Sequence, residues 1–210
     1  MKIEIISVSA LDEGAEILLT LKISDGEGRG EKRKFLLFTE QYLELGLSRG
    51  AIIDEETFDM LEQMSRKCKA IRKGSDLLSY SASSKVRLTQ RLRSKGIDKE
   101  SAQSAAEHLQ KLGVINEQAD VERLISADLK KLWGKKRIYN DLFAKGYDRD
   151  IIAAELDEID NDVFVENCRA LFKKKYKKMP ADPAEQKKII AALVRYGYSF
   201  SEIKQAINNG

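Results

Sequence analysis

A chain of 210 residues, 42% hydrophobic and 34% charged, is long enough for one elongated domain or two modest ones beneath a heavily charged surface. Its two prolines leave room for long helices, and no stretch approaches the roughly 20 apolar residues that cross a bilayer. The net charge of +3 conceals an asymmetry, because residues 1–64 hold 7 Lys/Arg against 14 Asp/Glu while the remainder hold 30 against 20. The basic excess of the C-terminal three-quarters suits phosphate or an acidic partner surface, and equally a solvated helical face.

The N-terminus, MKIEIISVSALDEGAEILL, lacks the charged-then-apolar order of a secretory signal. Its alternation instead begins a β region: Ile3, Ile5 and Val8 open one strand, EILLTLKI forms a second and KRKFLLF a third. SDGEGRGE between the last two reads as a hairpin connection. It lacks the Lys-Ser/Thr and the following helix that a phosphate loop requires. TEQYLELGL is a short helix leading into SRGAIID.

From Asp54 onward the pattern is helical. Asp54 is an N-cap, Glu55 and Glu56 suit the first turn, and Phe58, Leu61 and Met64 recur at helical spacing in a helix predicted to run to Tyr80 despite Gly74. Three segments then align without gaps: KVRLTQRLRSKGI, KKRIYNDLFAKGY and QKKIIAALVRYGY. Leu88, Ile138 and Ile189 correspond, as do Leu92, Leu142 and Leu193, and Gly96, Gly146 and Gly197. Each glycine falls just past a helix end, where a left-handed cap favours glycine. A second short helix follows each (DKESAQSAAEHL, DRDIIAAEL, SFSEIKQAI), and a longer one precedes each, over 55–80, 117–132 and 161–177. The expected architecture is mainly α: three tandem three-helix, helix-turn-helix-like repeats over 54–112, 113–157 and 158–210, after a small β-rich part over 1–53. Such units stack to bury their apolar stripes, which predicts an elongated, curved array.

On a wheel of 100° per residue with Leu88 at zero, Arg87, Arg91 and Lys95 fall at about 260°, 300° and 340°. They run beside the buried stripe. Arg137 and Lys145 take the places of Arg87 and Lys95 in the second repeat, with Lys135 and Lys136 adjoining, and Lys188 matches Arg87 in the third. A recurring cation suits an acidic or polyanionic groove, or merely keeps a helix solvated. Lys173, Lys174 and Lys175 add a basic helix end, and Trp133 reads as an inter-helix packing residue.

Catalysis finds no footing. One histidine, His108, forbids a two-histidine metal site, and no nucleophile elbow or Walker loop occurs. Cys68 and Cys168 lie far apart and read as free thiols.

The signatures KGI, AKGYDRDII and VRYGYSFSEIKQAI, with SASSKVRLTQRL, KLGVINEQADVERLI and WGKKRIYNDLFAKG, resemble the three helical repeats of the RecX family of recombination regulators over about residues 55–208. Asn116 and Glu117 replace the paired aspartates usual there, and Arg87 replaces an acid. The resemblance implies a cytoplasmic, monomeric, cofactor-free regulator of DNA repair and the SOS response. It would bind the RecA–single-stranded DNA filament and inhibit its recombinase, ATPase and co-protease activities, with weak direct DNA binding possible in addition. On the residues alone, a direct DNA-binding tandem helix-turn-helix protein and a scaffold for an unrelated partner remain open.

Overall fold

The alternating apolar residues of the first fifty positions form a four-stranded antiparallel sheet in the computed structural model, which describes residues 2–24 and 30–208. Strands β1 (Lys2–Leu11), β2 (Glu16–Ser24), β3 (Gly30–Phe38) and β4 (Ile52–Ile53) lie in the order β3-β2-β1-β4. Ser24 pairs with Gly30 at one end of the β2–β3 ladder and Glu16 with Phe38 at the other. The expected hairpin residues 25–29 lie outside the described residues. Period-two alternation puts Ile3, Ile5, Leu19, Leu21, Phe35 and Leu37 on one buried face. Helices α1 (Thr39–Leu45) and α2 (Glu55–Tyr80) follow. Asp54 caps α2 by accepting from Thr57 N at 2.8 Å, and Phe58 and Leu61 of α2 cover the sheet's apolar face. Glu16, 5% exposed, is neutralised by Arg72 at 3.0 Å.

The repeats follow as expected. The first comprises α2, α3 (Lys85–Ser94) and α4 (Lys99–Lys111); the second α5 (Glu117–Lys130), α6 (Lys135–Ala144) and α7 (Arg149–Asp157); the third α8 (Asn161–Tyr176), α9 (Pro183–Arg195) and α10 (Phe200–Asn208). Gly96, Gly146 and Gly197 hold φ of 85°, 81° and 99° just beyond α3, α6 and α9, as the repeat parsing requires. Gly74 continues α2 because close approach demands it: a Cβ there would lie 2.7 Å from Leu109 Cδ1.

Packing groups the chain into two units, Met1–Ser81 with Leu88–Val114, and Ala82–Arg87 with Ile115–Gly210. The first holds the sheet and most of repeat one. The second has its own core, in which Ile138, Leu142, Ile152, Phe164, Cys168 and Leu193 are buried together. The residues just before and within the first turn of α3 therefore pack with repeats two and three.

Candidate functional site

Two backbone joints organise the second unit, and both use the repeat glycines. In the first, Ser84 at the start of α3 donates its hydroxyl to the Lys145 carbonyl at 2.9 Å and accepts from Arg87 N at 3.2 Å. Glu117 accepts from Lys85 N at 2.7 Å and so caps the same helix end. In the second, Gly134 N donates to the Tyr196 carbonyl at 2.8 Å and Lys136 N to the Gly197 carbonyl at 3.2 Å. Ser84 and Gly134 occupy equivalent repeat positions, so the start of the middle helix of one repeat seats on the glycine turn of the next. The second joint is the tighter: a Cβ on Gly134 would lie 2.4 Å from the Gly197 carbonyl carbon.

Around that joint, cations and rings alternate. The Arg137 guanidinium lies 4.1 Å from the Trp133 ring and 5.1 Å from the Tyr196 ring. Lys131 lies 4.8 Å from Trp133, and Lys175 lies 4.3 Å from Tyr196 while donating to its hydroxyl at 2.6 Å. Each cation faces the negative side of a ring quadrupole. Asp128, 1% exposed, anchors one end by pairing with Lys131 at 2.7 Å, and its Oδ2 has no hydrogen-bond partner among the described residues. Hydrogen bonding to Lys175 holds the Tyr196 hydroxyl below the usual tyrosine pKa, aided by the charges of Lys175, Arg137 and Lys174.

The recurring sequence cation thus has different surroundings in each repeat. Arg87 and Lys188 are exposed and form no ion pair among the described residues, whereas Arg137 is half-buried between two rings. Lys136, Lys173 and Lys174 are likewise exposed and unpaired among the described residues. Lys135 pairs with Asp157 at 2.7 Å, and Lys145 pairs with Asp141 one turn away. Arg91 and Lys95 fall in the first unit, where Arg91 reaches Ser81 Oγ at 3.5 Å and Lys95 is exposed. Tyr196 and Lys131 were not singled out by sequence reasoning. Tyr196 stands where the earlier repeats carry Lys95 and Lys145, and that break in the pattern is the signal that could have found it.

No group of three or more His, Cys, Asp or Glu among the described residues could hold a metal ion. Burial pushes the Cys68 and Cys168 thiols up to about 12, which leaves them protonated and unreactive. His108 is half-buried and stacked on Phe38, with ring centroids 6.1 Å apart. No helix among the described residues is long and apolar enough to cross a membrane. The second unit thus presents exposed cations on helices held in register by the two joints.

Known proteins bear out the resemblance read from the repeats. Residues 162–207 match the RecX third three-helix domain. The chain is 25% identical to the regulatory protein RecX of Clostridioides difficile over 175 residues, covering 82% of each chain. It is 29% identical to that of Pseudomonas fluorescens over 138 residues, 65% of this chain and 88% of the other. A crystal structure of a regulatory protein RecX superposes with a TM-score of 0.75 at 19% identity, covering 96% of this chain and 98% of that one. RecX from Lactobacillus salivarius gives 0.61 at 23% identity, covering 69% and 96%. These structures share the fold.

Proposed function

We propose that this chain, whose tandem repeats are those of the RecX family of regulatory proteins, restrains a RecA-type recombinase by binding its filament on single-stranded DNA, without catalysing a reaction. Inhibition of ATP hydrolysis, strand exchange and co-protease activity follows from occupancy of the filament. The protein acts as a cytoplasmic monomer in the control of recombination and the SOS response. Supporting this reading above all is a set of exposed cations in the second unit that form no ion pair among the described residues: Arg87, Lys136, Lys173, Lys174 and Lys188. Exposed cations cost little to desolvate and steer association with an acidic or polyanionic groove.

The test adds the protein to its cognate recombinase assembled on single-stranded DNA and follows ATP hydrolysis and strand exchange. Both should fall. The combined variant Arg87→Glu, Lys136→Glu, Lys188→Glu should lose roughly tenfold or more in inhibitory potency, because three attractions become repulsions. Its melting temperature should hardly move, since exposed charges contribute about 0–1 kcal/mol to folding. Arg137 is left out of this set because its stacking on Trp133 and Tyr196 would confound binding with stability. Undiminished hydrolysis and exchange at several-fold excess of the wild-type protein would refute the reading. Tight, sequence-specific binding to duplex DNA without recombinase would favour a helix-turn-helix DNA binder instead.

A further inference from the structure

Beside the tighter joint, residues of helices α6, α7, α9 and α10 line an open cavity of about 550 Å³. Its walls are apolar: Tyr139, Ala153, Leu156, Val194 and the ring of Tyr198 line it, and Phe200 stands at its edge, 73% exposed. This is the volume range of a ligand pocket, and its apolar lining runs out to an exposed aromatic.

The polar groups around it decide what fits. Asp157 pairs with Lys135 at 2.7 Å, Glu202 accepts from Ser199 N at 2.7 Å, and the Tyr198 hydroxyl donates to the Leu132 carbonyl at 2.8 Å. Each of those groups is already held by a partner within the protein. The lining charge without a partner among the described residues is the exposed Lys136. The complementary occupant is an apolar side chain with a carboxylate beside it.

We infer that this cavity is a socket for an apolar anchor residue, flanked by an acidic one, on a segment of the protein partner. Taking that partner to be the recombinase filament rests on the proposed function. The division of labour is then definite: exposed cations steer the encounter, and the socket slows release, because a desolvated apolar anchor in a pocket carries a large share of the binding energy.

Two measurements test it. Ala153 is exposed on α7 and lines the cavity, so Ala153→Trp fills the space without displacing a core residue; the adjacent exposed Ala154→Trp, outside the lining, is the control. Anilinonaphthalenesulfonate, an apolar ring system with one anionic group, serves as a partner-independent probe. Its fluorescence should rise on the wild type and on Ala154→Trp, fall to background with Ala153→Trp, and weaken with Lys136→Glu. Affinity for recombinase on oligo-dT should drop roughly tenfold or more with Ala153→Trp, as expected for loss of one buried apolar side chain, while affinity for bare oligo-dT stays unchanged. Equal dye binding by wild type and Ala153→Trp would overturn the socket. Unaltered filament affinity in Ala153→Trp, or an equal loss on bare oligo-dT, would overturn the protein occupant, the second outcome pointing to a nucleobase. Self-association of the wild type that Ala153→Trp abolishes would make a second copy of this chain the occupant and overturn the assignment. If the wild type binds the dye but not the filament, the proposed function falls and the partner assignment with it, whereas the dye result still decides the pocket.

Discussion

Substituting alanine at the repeat glycines separates the cost of a backbone conformation from the cost of a joint. At Gly96, φ is +85° and an added Cβ meets nothing within 4 Å, so Gly96→Ala bears conformational strain alone, about 1 kcal/mol. At Gly146 the Cβ would lie 3.0 Å from Ser84 Oγ and 3.3 Å from Val86 Cβ, side-chain atoms that can give slightly, so about 1–2 kcal/mol is expected. At Gly197 the new atom would lie 2.5 Å from both N and Cβ of Arg137 and 2.7 Å from the Gly134 carbonyl oxygen. Backbone cannot swing aside, so α6 must retreat. The hydrogen bonds Gly134 N to Tyr196 O and Lys136 N to Gly197 O then fail. At about 0.5–1.5 kcal/mol each, added to the strain, they bring Gly197→Ala to about 2–4 kcal/mol, a large part of the 5–15 kcal/mol that holds a typical domain together. Urea titration followed by the fluorescence of Trp133, the single tryptophan, reports Gly146→Ala and Gly197→Ala directly, and circular dichroism reports Gly96→Ala. Equal losses at all three positions, with unchanged denaturant dependence, would refute the seating of one repeat on the turn of the next.

Other expectations follow from the same geometry. Arg137→Ala should cost about 1–2 kcal/mol and alter the Trp133 emission, and Arg137→Lys should recover part of the stability; fluorescence spectra and melting curves check both. Burial pushes the Tyr147 hydroxyl from its ordinary 10.0 up to about 12, with the Asp120 charge assisting. A folded value above the unfolded one means a stabilising contribution present below pH 10 and lost as pH rises toward 12, so Tyr147→Phe should flatten the alkaline decline in stability over that window. Lys175→Met should raise the Tyr196 pKa, measured by tyrosinate absorbance, since the Lys175 hydrogen bond is the chief cause of its depression. Cys68 and Cys168, both fully buried, should resist Ellman's reagent in native buffer and react after denaturation.

Much of the helical architecture was legible because its determinants are local. Leu88, Ile138 and Ile189 mark the buried stripe by helical periodicity, and Gly96, Gly146 and Gly197 announce a positive φ that other residues avoid. Alternation revealed β1, β2 and β3, whereas β4 escaped: two residues contain no period, and their extended form depends on pairing with Ile3 and Glu4. The site was harder. Arg87, Arg137 and Lys188 share a repeat position, yet Arg137 differs because Trp133 and Tyr196 flank it, and Tyr196 lies far along the chain. A helical wheel sees only its own helix. The assignment of residues 82–87 to the second unit has the same origin, since Ser84 finds its acceptor 61 residues downstream.

The joints point one way along the chain, and that polarity bears on how the protein is made. The start of α6 is complete only once the turn at Tyr196 and Gly197 exists to receive Gly134 N and Lys136 N. During synthesis the start of α6 therefore stays unseated until the turn at Tyr196 and Gly197 has left the ribosome. A premature stop that removes only α10 and its preceding turn would damage α6, some sixty residues upstream. The repeats are thus poor candidates for excision as free-standing modules, because the second and the third each carry the receptor for the one before.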